Sequence, residues 1–211
     1  MLSTEAYEKF KARILSGDLK PGQMISQREL AEFAGMSMGP ARDAIQRLAF
    51  ESLLRIHPNR GIQVTEDSYR MIRSAYQLRS VLEASAIERF VQVAEDETIL
   101  AMIKETSELS EECQDGVSEE FCIRAIEADW KMHDSFIRSM DNELIDETYQ
   151  ANHARIMLTR LSNKNAKIRL ALALKEHLEI LEACLARDTD AAKSRLIEHI
   201  DLSKQKAMTG L

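Results

Sequence analysis

Residues that interrupt helices are almost absent from the last two thirds of the chain. All three prolines (Pro21, Pro40 and Pro58) and five of the seven glycines lie before residue 65. Proline and glycine break helices and mark turns, so their scarcity later in the chain predicts long uninterrupted helices there. We therefore divide the chain into a turn-rich domain, residues 1–65, and a helical domain, residues 66–211.

Cysteines and long apolar runs are scarce as well. The cysteines (Cys113, Cys122 and Cys184) are odd in number and have no CxxC spacing, which favours free thiols in a reducing cytoplasm over a disulfide framework. No apolar stretch approaches the roughly 18–20 residues that a membrane-spanning helix needs, and no signal peptide is visible. We expect a cytoplasmic protein with no membrane partner.

Basic side chains are in the minority, except near the start of the chain. Residues 1–65 contain nine basic and seven acidic side chains, a net charge of +2, whereas the whole chain carries −7. An acidic protein can still bind nucleic acid through a locally basic face. The charge distribution is compatible with a DNA-binding first domain, although it is weak support by itself.

Two short helices follow one another closely in the first domain. Residues 26–29, Ser-Gln-Arg-Glu, have the form of a capping box, and Gly35 ends the helix that this box begins. Ser37 is the expected cap of the next helix, whose first turn tolerates Pro40. Two helices joined by so tight a turn predict a helix-turn-helix.

A β-hairpin is predicted directly after the second of these helices. Residues 53–57 and 62–64 are strand-like, and residues 58–61, Pro-Asn-Arg-Gly, form the turn between them. A hairpin in this position is a wing. The first domain is therefore predicted to be a winged helix-turn-helix that binds double-stranded DNA.

The ordered motifs of the first domain resemble the winged helix of the GntR regulators over about sixty residues, from Ile14–Gly17 to Asn59–Gly61. The resemblance implies that Arg28 holds phosphate, that Arg42 holds bases or phosphates, and that Arg60 acts from the wing. A solvated helix face is the alternative for the first two. The implied DNA-binding residues are Arg28, Ser37, Met38, Gly39, Arg42, Arg60 and Gly61. Met38 departs from the family, in which arginine is common at this position. Its side chain cannot donate a hydrogen bond.

The second domain is predicted to be helical throughout. Hydrophobic periodicity indicates helices over residues 67–94, 96–114, 118–140, 142–161, 165–187 and 189–207, and the first of these has room to break in two. Six to seven helices with short connections predict an antiparallel bundle. The fold class is therefore mainly α, with a small hairpin in the first domain.

One aspartate and three histidines of the second domain have the spacing of a metal site. Asp129 and His133 are four residues apart, so they project from one face of a helix. His177 and His199 each lie eleven residues from the turn near residue 188, so antiparallel packing would bring them level. This donor set suits Zn²⁺, Ni²⁺ or Mn²⁺, with zinc as the first expectation. Four ordinary structural residues are the alternative.

This region resembles the FCD sensor domain of the FadR-type GntR subfamily. The resemblance implies that these four residues hold a divalent metal ion, and that the ion and nearby polar groups hold a small carboxylate effector. Arg79 matches a family arginine on the first long helix and is the expected clamp for that carboxylate, with a surface ion pair to Glu83 as its alternative. Asn152 and His153 are further candidates for the effector pocket, although chance placement explains them equally well.

These patterns together predict a homodimeric transcription regulator, more specifically a repressor, whose metal-containing domain senses an organic acid. Two alternatives stay open: a metal-dependent enzyme, and a regulator whose metal is purely structural. The enzyme would leave the DNA-binding domain unexplained, and no nucleophile or general-base pattern accompanies the metal ligands.

Overall fold

A computed structural model describes residues 2–66, 68–115, 118–161 and 166–209 of the chain. Within these residues the chain is mainly α, as predicted, with nine helices and three short strands. The winged helix contains α1 (Leu2–Leu15), β1 (Met24–Ile25), α2 (Gln27–Ala34), α3 (Met38–Phe50), β2 (Leu54–His57) and β3 (Gly61–Val64). The remaining helices are α4 (Tyr69–Val93), α5 (Asp96–Asp115), α6 (Glu119–Arg138), α7 (Glu143–Leu161), α8 (Ala166–Leu185) and α9 (Thr189–Thr209).

The caps of α2 and α3 differ in chemistry. The predicted capping box of α2 is confirmed, because the Ser26 hydroxyl accepts from the Glu29 amide at 3.1 Å and the Glu29 carboxylate accepts from the Ser26 amide at 2.8 Å. Ser37 is the N-cap residue of α3, as predicted, but its side chain makes no capping hydrogen bond within the described residues. The third residue of α3 is Pro40, which has no amide proton, so one of the two amides that a serine cap can bind is missing.

The wing is a three-stranded antiparallel sheet in the order β1-β3-β2. The predicted hairpin is present and pairs Ile56 with Ile62, but β1 also pairs with β3 through Ile25, a strand that the sequence did not predict. Gly61 has φ +108°, and a Cβ there would lie 2.9 Å from the carbonyl oxygen of Ile25. Only glycine fits this close approach of two strands.

The chain forms two compact units, whose boundary falls inside α4 and inside α7. The first unit contains residues 1–75 and 151–163, and the second contains residues 76–150 and 164–210. The core of the first unit joins Phe10, Leu48 and Ile62 of the winged helix to Ala154 and Leu158 of α7. The first compact unit thus includes a segment of α7 in addition to residues 1–75.

Six helices, α4 to α9, follow the wing within the described residues, and α4 is continuous over 25 residues. In the second unit, α8 packs against α5, α6 and α9, and Phe121, Phe136 and Ile180 are fully buried in its interior. Packing of α6, α8 and α9 around one another brings polar residues from all three to the same level.

No helix among the described residues is both long and apolar enough to cross a bilayer.

We expect Leu158→Ala to lower the free energy of unfolding by about 2–5 kcal/mol, the usual cost of removing buried methylene groups and leaving a cavity. Leu158 lies on α7 and is fully buried in the core of the first unit. Urea denaturation followed by circular dichroism measures the change. The matched control is Leu144→Ala on the same helix, where the side chain is 74% exposed and a change within about 0.5 kcal/mol is expected. Equal stability of the two variants would contradict the place of α7 in this core.

Candidate metal centre and DNA-binding surface

The four residues with metal-site spacing lie together in the second unit. Asp129 and His133 project from α6, His177 from α8 and His199 from α9, and all four are buried. One donor atom from each residue can be chosen so that all four atoms lie within 4.8 Å of one another. His177 and His199 lie level with each other, as their equal spacing from the α8–α9 turn predicted, and their Nε2 atoms are 3.3 Å apart.

The donor atoms of this cluster converge on one point. Asp129 Oδ1 lies 3.2 Å from His177 Nε2 and 3.7 Å from His133 Nε2. The Nε2 atom of His133 is buried and has no hydrogen-bond partner among the described residues. A buried polar atom without a partner is destabilising, and a divalent cation would satisfy it. The three imidazoles and the carboxylate therefore fit a borderline divalent ion.

Two further carboxylates contact the histidines from outside the cluster. Glu83 Oε2 lies 2.7 Å from His133 Nδ1, and Glu176 Oε2 lies 2.7 Å from His199 Nδ1. Neither residue could be assigned to the site from sequence patterns. Glu83 stood out only as an i+4 partner of Arg79, and the only signal for Glu176 was that it precedes His177.

Arg79 pairs with Glu83, but this ion pair is not the surface pair considered above. Arg79 Nε lies 2.7 Å from Glu83 Oε1, and the two side chains are only 4% and 0% exposed. The Tyr149 hydroxyl donates to the same oxygen, and its ring stacks on Trp130 with centroids 5.2 Å apart. Arg79 is therefore part of a buried polar network that reaches His133 through Glu83.

Burial and neighbouring charges set the ionisation of this network. Burial lowers the pKa of His133, and the positive charge of Arg79 lowers it further. Burial and the neighbouring His177 hold the pKa of His199 well below its usual value, so both imidazoles are neutral at pH 7. Burial would raise the pKa of Glu83, but the charge of Arg79 and the donors around it lower that pKa to about 2.

The two other predicted effector residues lie in the first unit. Asn152 is buried, and its amide nitrogen donates to the carbonyl of Ala75 at 2.9 Å. Its Oδ1 atom has no partner among the described residues, while His153 is half-buried. The structure does not bring either residue into the unit that contains the histidine cluster, and their role in effector binding stays a prediction.

The predicted DNA-binding residues lie near the N-terminal ends of α2 and α3 and at the turn of the wing. All are exposed except the half-buried Gly61; the exposed ones are Arg28, Ser37, Met38, Gly39, Arg42 and Arg60. Arg28 forms an i+4 pair with Glu32 at 2.8 Å, with side chains 84% and 62% exposed. A surface pair of this kind is weak, so it does not prevent Arg28 from contacting a phosphate.

Comparison with known proteins identifies the family. Residues 2–64 match the bacterial regulatory proteins of the gntR family, and residues 74–202 match the FCD domain. The chain is a GntR-family regulator with an FCD domain. Both resemblances seen in the sequence are thereby confirmed. The protein is a transcription regulator, and the family assignment excludes the alternative hypothesis of a metal-dependent enzyme.

Two relatives match the chain over most of their length. The regulator is 25% identical over 195 residues to the uncharacterized HTH-type transcriptional regulator YdhC of Bacillus subtilis, covering 92% of this chain and 86% of that protein. It is 21% identical over 199 residues to the HTH-type transcriptional repressor RspR of Escherichia coli, covering 94% and 86%.

Two solved structures have the same fold. Escherichia coli McbR/YncC aligns with a TM-score of 0.81 at 19% identity, over 99% of this chain and 98% of that one. The Zn²⁺-bound FCD domain of TM0439 aligns with a TM-score of 0.51 at 24% identity, over 67% of this chain and 94% of that one. At these identities the likeness establishes the fold of the GntR-family regulator and no more.

Proposed function

We propose that this regulator is a homodimeric repressor that acts in the cytoplasm. It binds a near-palindromic operator through its winged helices, and its affinity for DNA changes when a small carboxylate binds beside a divalent metal ion in the FCD domain. The observation that carries the proposal is the convergence of four buried donor atoms from α6, α8 and α9. The name of the relative RspR supports repression.

The DNA-binding part of the proposal rests on exposed donors near the N-terminal ends of α2 and α3. Arg42 is exposed on α3, and its planar guanidinium can donate two hydrogen bonds to a guanine edge. The Ser37 hydroxyl is not engaged in capping within the described residues, so it is available to a phosphate or base. A twofold dimer would present two such surfaces to two half-sites.

We expect Arg42→Ala to weaken binding to the preferred duplex by about 1–3 kcal/mol if Arg42 contacts a base, and Arg28→Ala to reduce the salt slope of binding by about one. Fluorescence anisotropy at several salt concentrations measures both, on a duplex selected from a random pool by the wild-type protein. Arg89→Ala, which removes the same charge from an exposed position on α4, is the control. Wild-type affinity and salt slope in both variants would refute this DNA-binding surface.

The metal part of the proposal rests on the chemistry of the cluster. Asp129, His133, His177 and His199 would hold the ion, and the unpartnered Nε2 of His133 would gain a partner. Nitrogen and oxygen donors without thiolate suit Zn²⁺, Ni²⁺ or Mn²⁺, and we propose Zn²⁺ first. TM0439, whose FCD domain shares this fold, was solved with Zn²⁺ bound.

Protein purified without added metal should contain about one divalent ion per chain, because the four residues form a nearly complete coordination shell. Elemental analysis measures the content. The double variant His177→Ala/His199→Ala should lose the ion, and His57→Ala, which changes a histidine of the wing, should keep it. If the double variant retained the full metal content, the ligand assignment would be wrong.

The effector part of the proposal rests on charge. Arg79 is a permanent, buried positive charge whose Nε is engaged by Glu83. A guanidinium has five N–H donors, so its remaining donors can serve a carboxylate. A bound divalent ion would supply a second positive centre able to accept a carboxylate oxygen. The competing proposal is that the ion has a purely structural role. Whether a carboxylate binds to the ion and to Arg79 decides between these two roles.

A screen of organic acids by thermal shift should yield a carboxylate that stabilises the metal-loaded protein. That acid should bind more weakly to Arg79→Gln and to wild-type protein whose metal has been removed with a chelator. It should also change the affinity of the protein for the operator by about 5- to 150-fold, the usual range of allosteric coupling. Leu144→Ala, altered at an exposed position, is the control. An acid that binds Arg79→Gln and chelated protein as tightly as wild type would leave the metal with a structural role only.

A further inference from the structure

Glu83 occupies a central position that neither the ligand set nor the effector proposal explains. It is fully buried on α4, and its two oxygens accept from three donors. Oε1 accepts from Arg79 Nε and from the Tyr149 hydroxyl, and Oε2 is 2.7 Å from His133 Nδ1. Its Oε1 already accepts from a guanidinium and a hydroxyl, which is the arrangement around a carboxylate, and a carboxylate can only accept hydrogen bonds. His133 must therefore carry its proton on Nδ1.

This proton position determines what His133 offers to the cluster. A neutral imidazole with its proton on Nδ1 has a free lone pair on Nε2, and Nε2 of His133 is the atom that faces Asp129. The second outer carboxylate, Glu176, contacts His199 Nδ1 in the same way, at 2.7 Å, so His199 Nε2 is also free of its proton. The two histidines present the nitrogen lone pairs that a metal ion requires.

His177 differs from the other two histidines. Its Nε2 lies 3.3 Å from His199 Nε2 and 3.2 Å from Asp129 Oδ1. Asp129 Oδ1 and the unprotonated His199 Nε2 are both acceptors, so these contacts place a proton on His177 Nε2. To bind a metal ion through that atom, a neutral His177 would have to carry its proton on Nδ1 instead, whereas His133 and His199 already present an unprotonated Nε2.

We propose that Glu83 and Glu176 are positioning residues of the metal centre, which hold His133 and His199 in the tautomer whose Nε2 is free to bind a divalent ion. This inference rests on the metal binding proposed above. The simpler role for Glu83 is to neutralise Arg79, with the His133 contact incidental. The two roles differ in whether a change at Glu83 alters the tautomer of His133 and the affinity for metal.

The test compares Glu83→Gln and Glu176→Gln in the full chain, with Glu88→Gln as the matched control. Glu88 lies on α4 like Glu83, but it pairs with Lys193 outside the cluster. Competition with a chromogenic chelator gives the affinity for Zn²⁺, and urea denaturation of the metal-free proteins gives their stability. Loss of such an outer carboxylate typically weakens metal binding about 10- to 100-fold, and we expect this loss in both variants and wild-type affinity in Glu88→Gln.

Nitrogen-15 NMR of the metal-free protein reports the tautomers directly. In the wild type, we expect the proton of His133 and that of His199 on Nδ1. Glu83→Gln should redistribute the proton of His133 and leave His199 unchanged, and Glu176→Gln should do the reverse. If Glu83→Gln fails to fold because Arg79 is left unpaired, the double variant Arg79→Gln/Glu83→Gln removes both charges and takes its place.

The positioning role of Glu83 would be overturned if folded Glu83→Gln bound Zn²⁺ with wild-type affinity, or if His133 of the wild-type protein carried its proton on Nε2. The corresponding results for Glu176→Gln and His199 would overturn the positioning role of Glu176. A wild-type protein that binds no Zn²⁺ would refute the proposed metal function. The tautomer measurement would still decide the positioning role, so the two failures are distinguishable.

Discussion

A carboxylate buried away from water destabilises a protein unless hydrogen-bond donors and a positive charge surround it. Glu83 is the carboxylate in the second unit to which this applies most strongly, since its side chain is fully buried. Its partners come from its own helix (Arg79), from α6 (His133) and from the first half of α7 (Tyr149). The packing of these three helices is therefore tied to one ion, and the loss of Arg79 would leave the buried charge of Glu83 without its positive partner.

Local chemistry explains why much of the winged helix could be predicted from the sequence. The capping box at Ser26 and the left-handed Gly35 act within a few residues, so their signals are contiguous in the chain. The metal-site spacing is also a local signal, since Asp129 and His133 are one helical turn apart. The level placement of His199 needed only the assumption of a short antiparallel turn.

The features that the sequence did not predict depend on pairings distant in the chain. Strand β1 has two residues and exists because it pairs with β3 about 38 residues later. His133 and Glu83 are 50 residues apart, and no periodicity marks such a pair. The side chain of Ser37 makes no capping hydrogen bond within the described residues, and the local contribution to this is Pro40, which removes one of the two amides that could donate to it.

The extent of the first compact unit also depends on contacts between residues far apart in the chain. Composition changes near residue 65, yet the core of the first unit includes Ala154 and Leu158 of α7. Arg155 of the same segment donates to the carbonyl of Glu51 at 2.8 Å, at the C-terminal end of α3. The Glu51 carboxylate in turn accepts from Tyr7 of α1. The end of the predicted recognition helix is thus held by a residue about 100 positions later, which no local signal reveals.

The charge of the histidine cluster links the proposed metal to the proposed effector. Asp129 and Glu83 are negative and Arg79 is positive, so the buried groups sum to −1 when the histidines are neutral, and to +1 with a divalent ion. Glu176 is 23% exposed, and solvent screens its charge. Two unit charges 4 Å apart interact with an energy of about 4 kcal/mol at an effective dielectric constant of 20. A change of two unit charges in the cluster therefore has a larger effect on a carboxylate than any single hydrogen-bond donor. A carboxylate would be repelled from the metal-free cluster and attracted to the metal-loaded one.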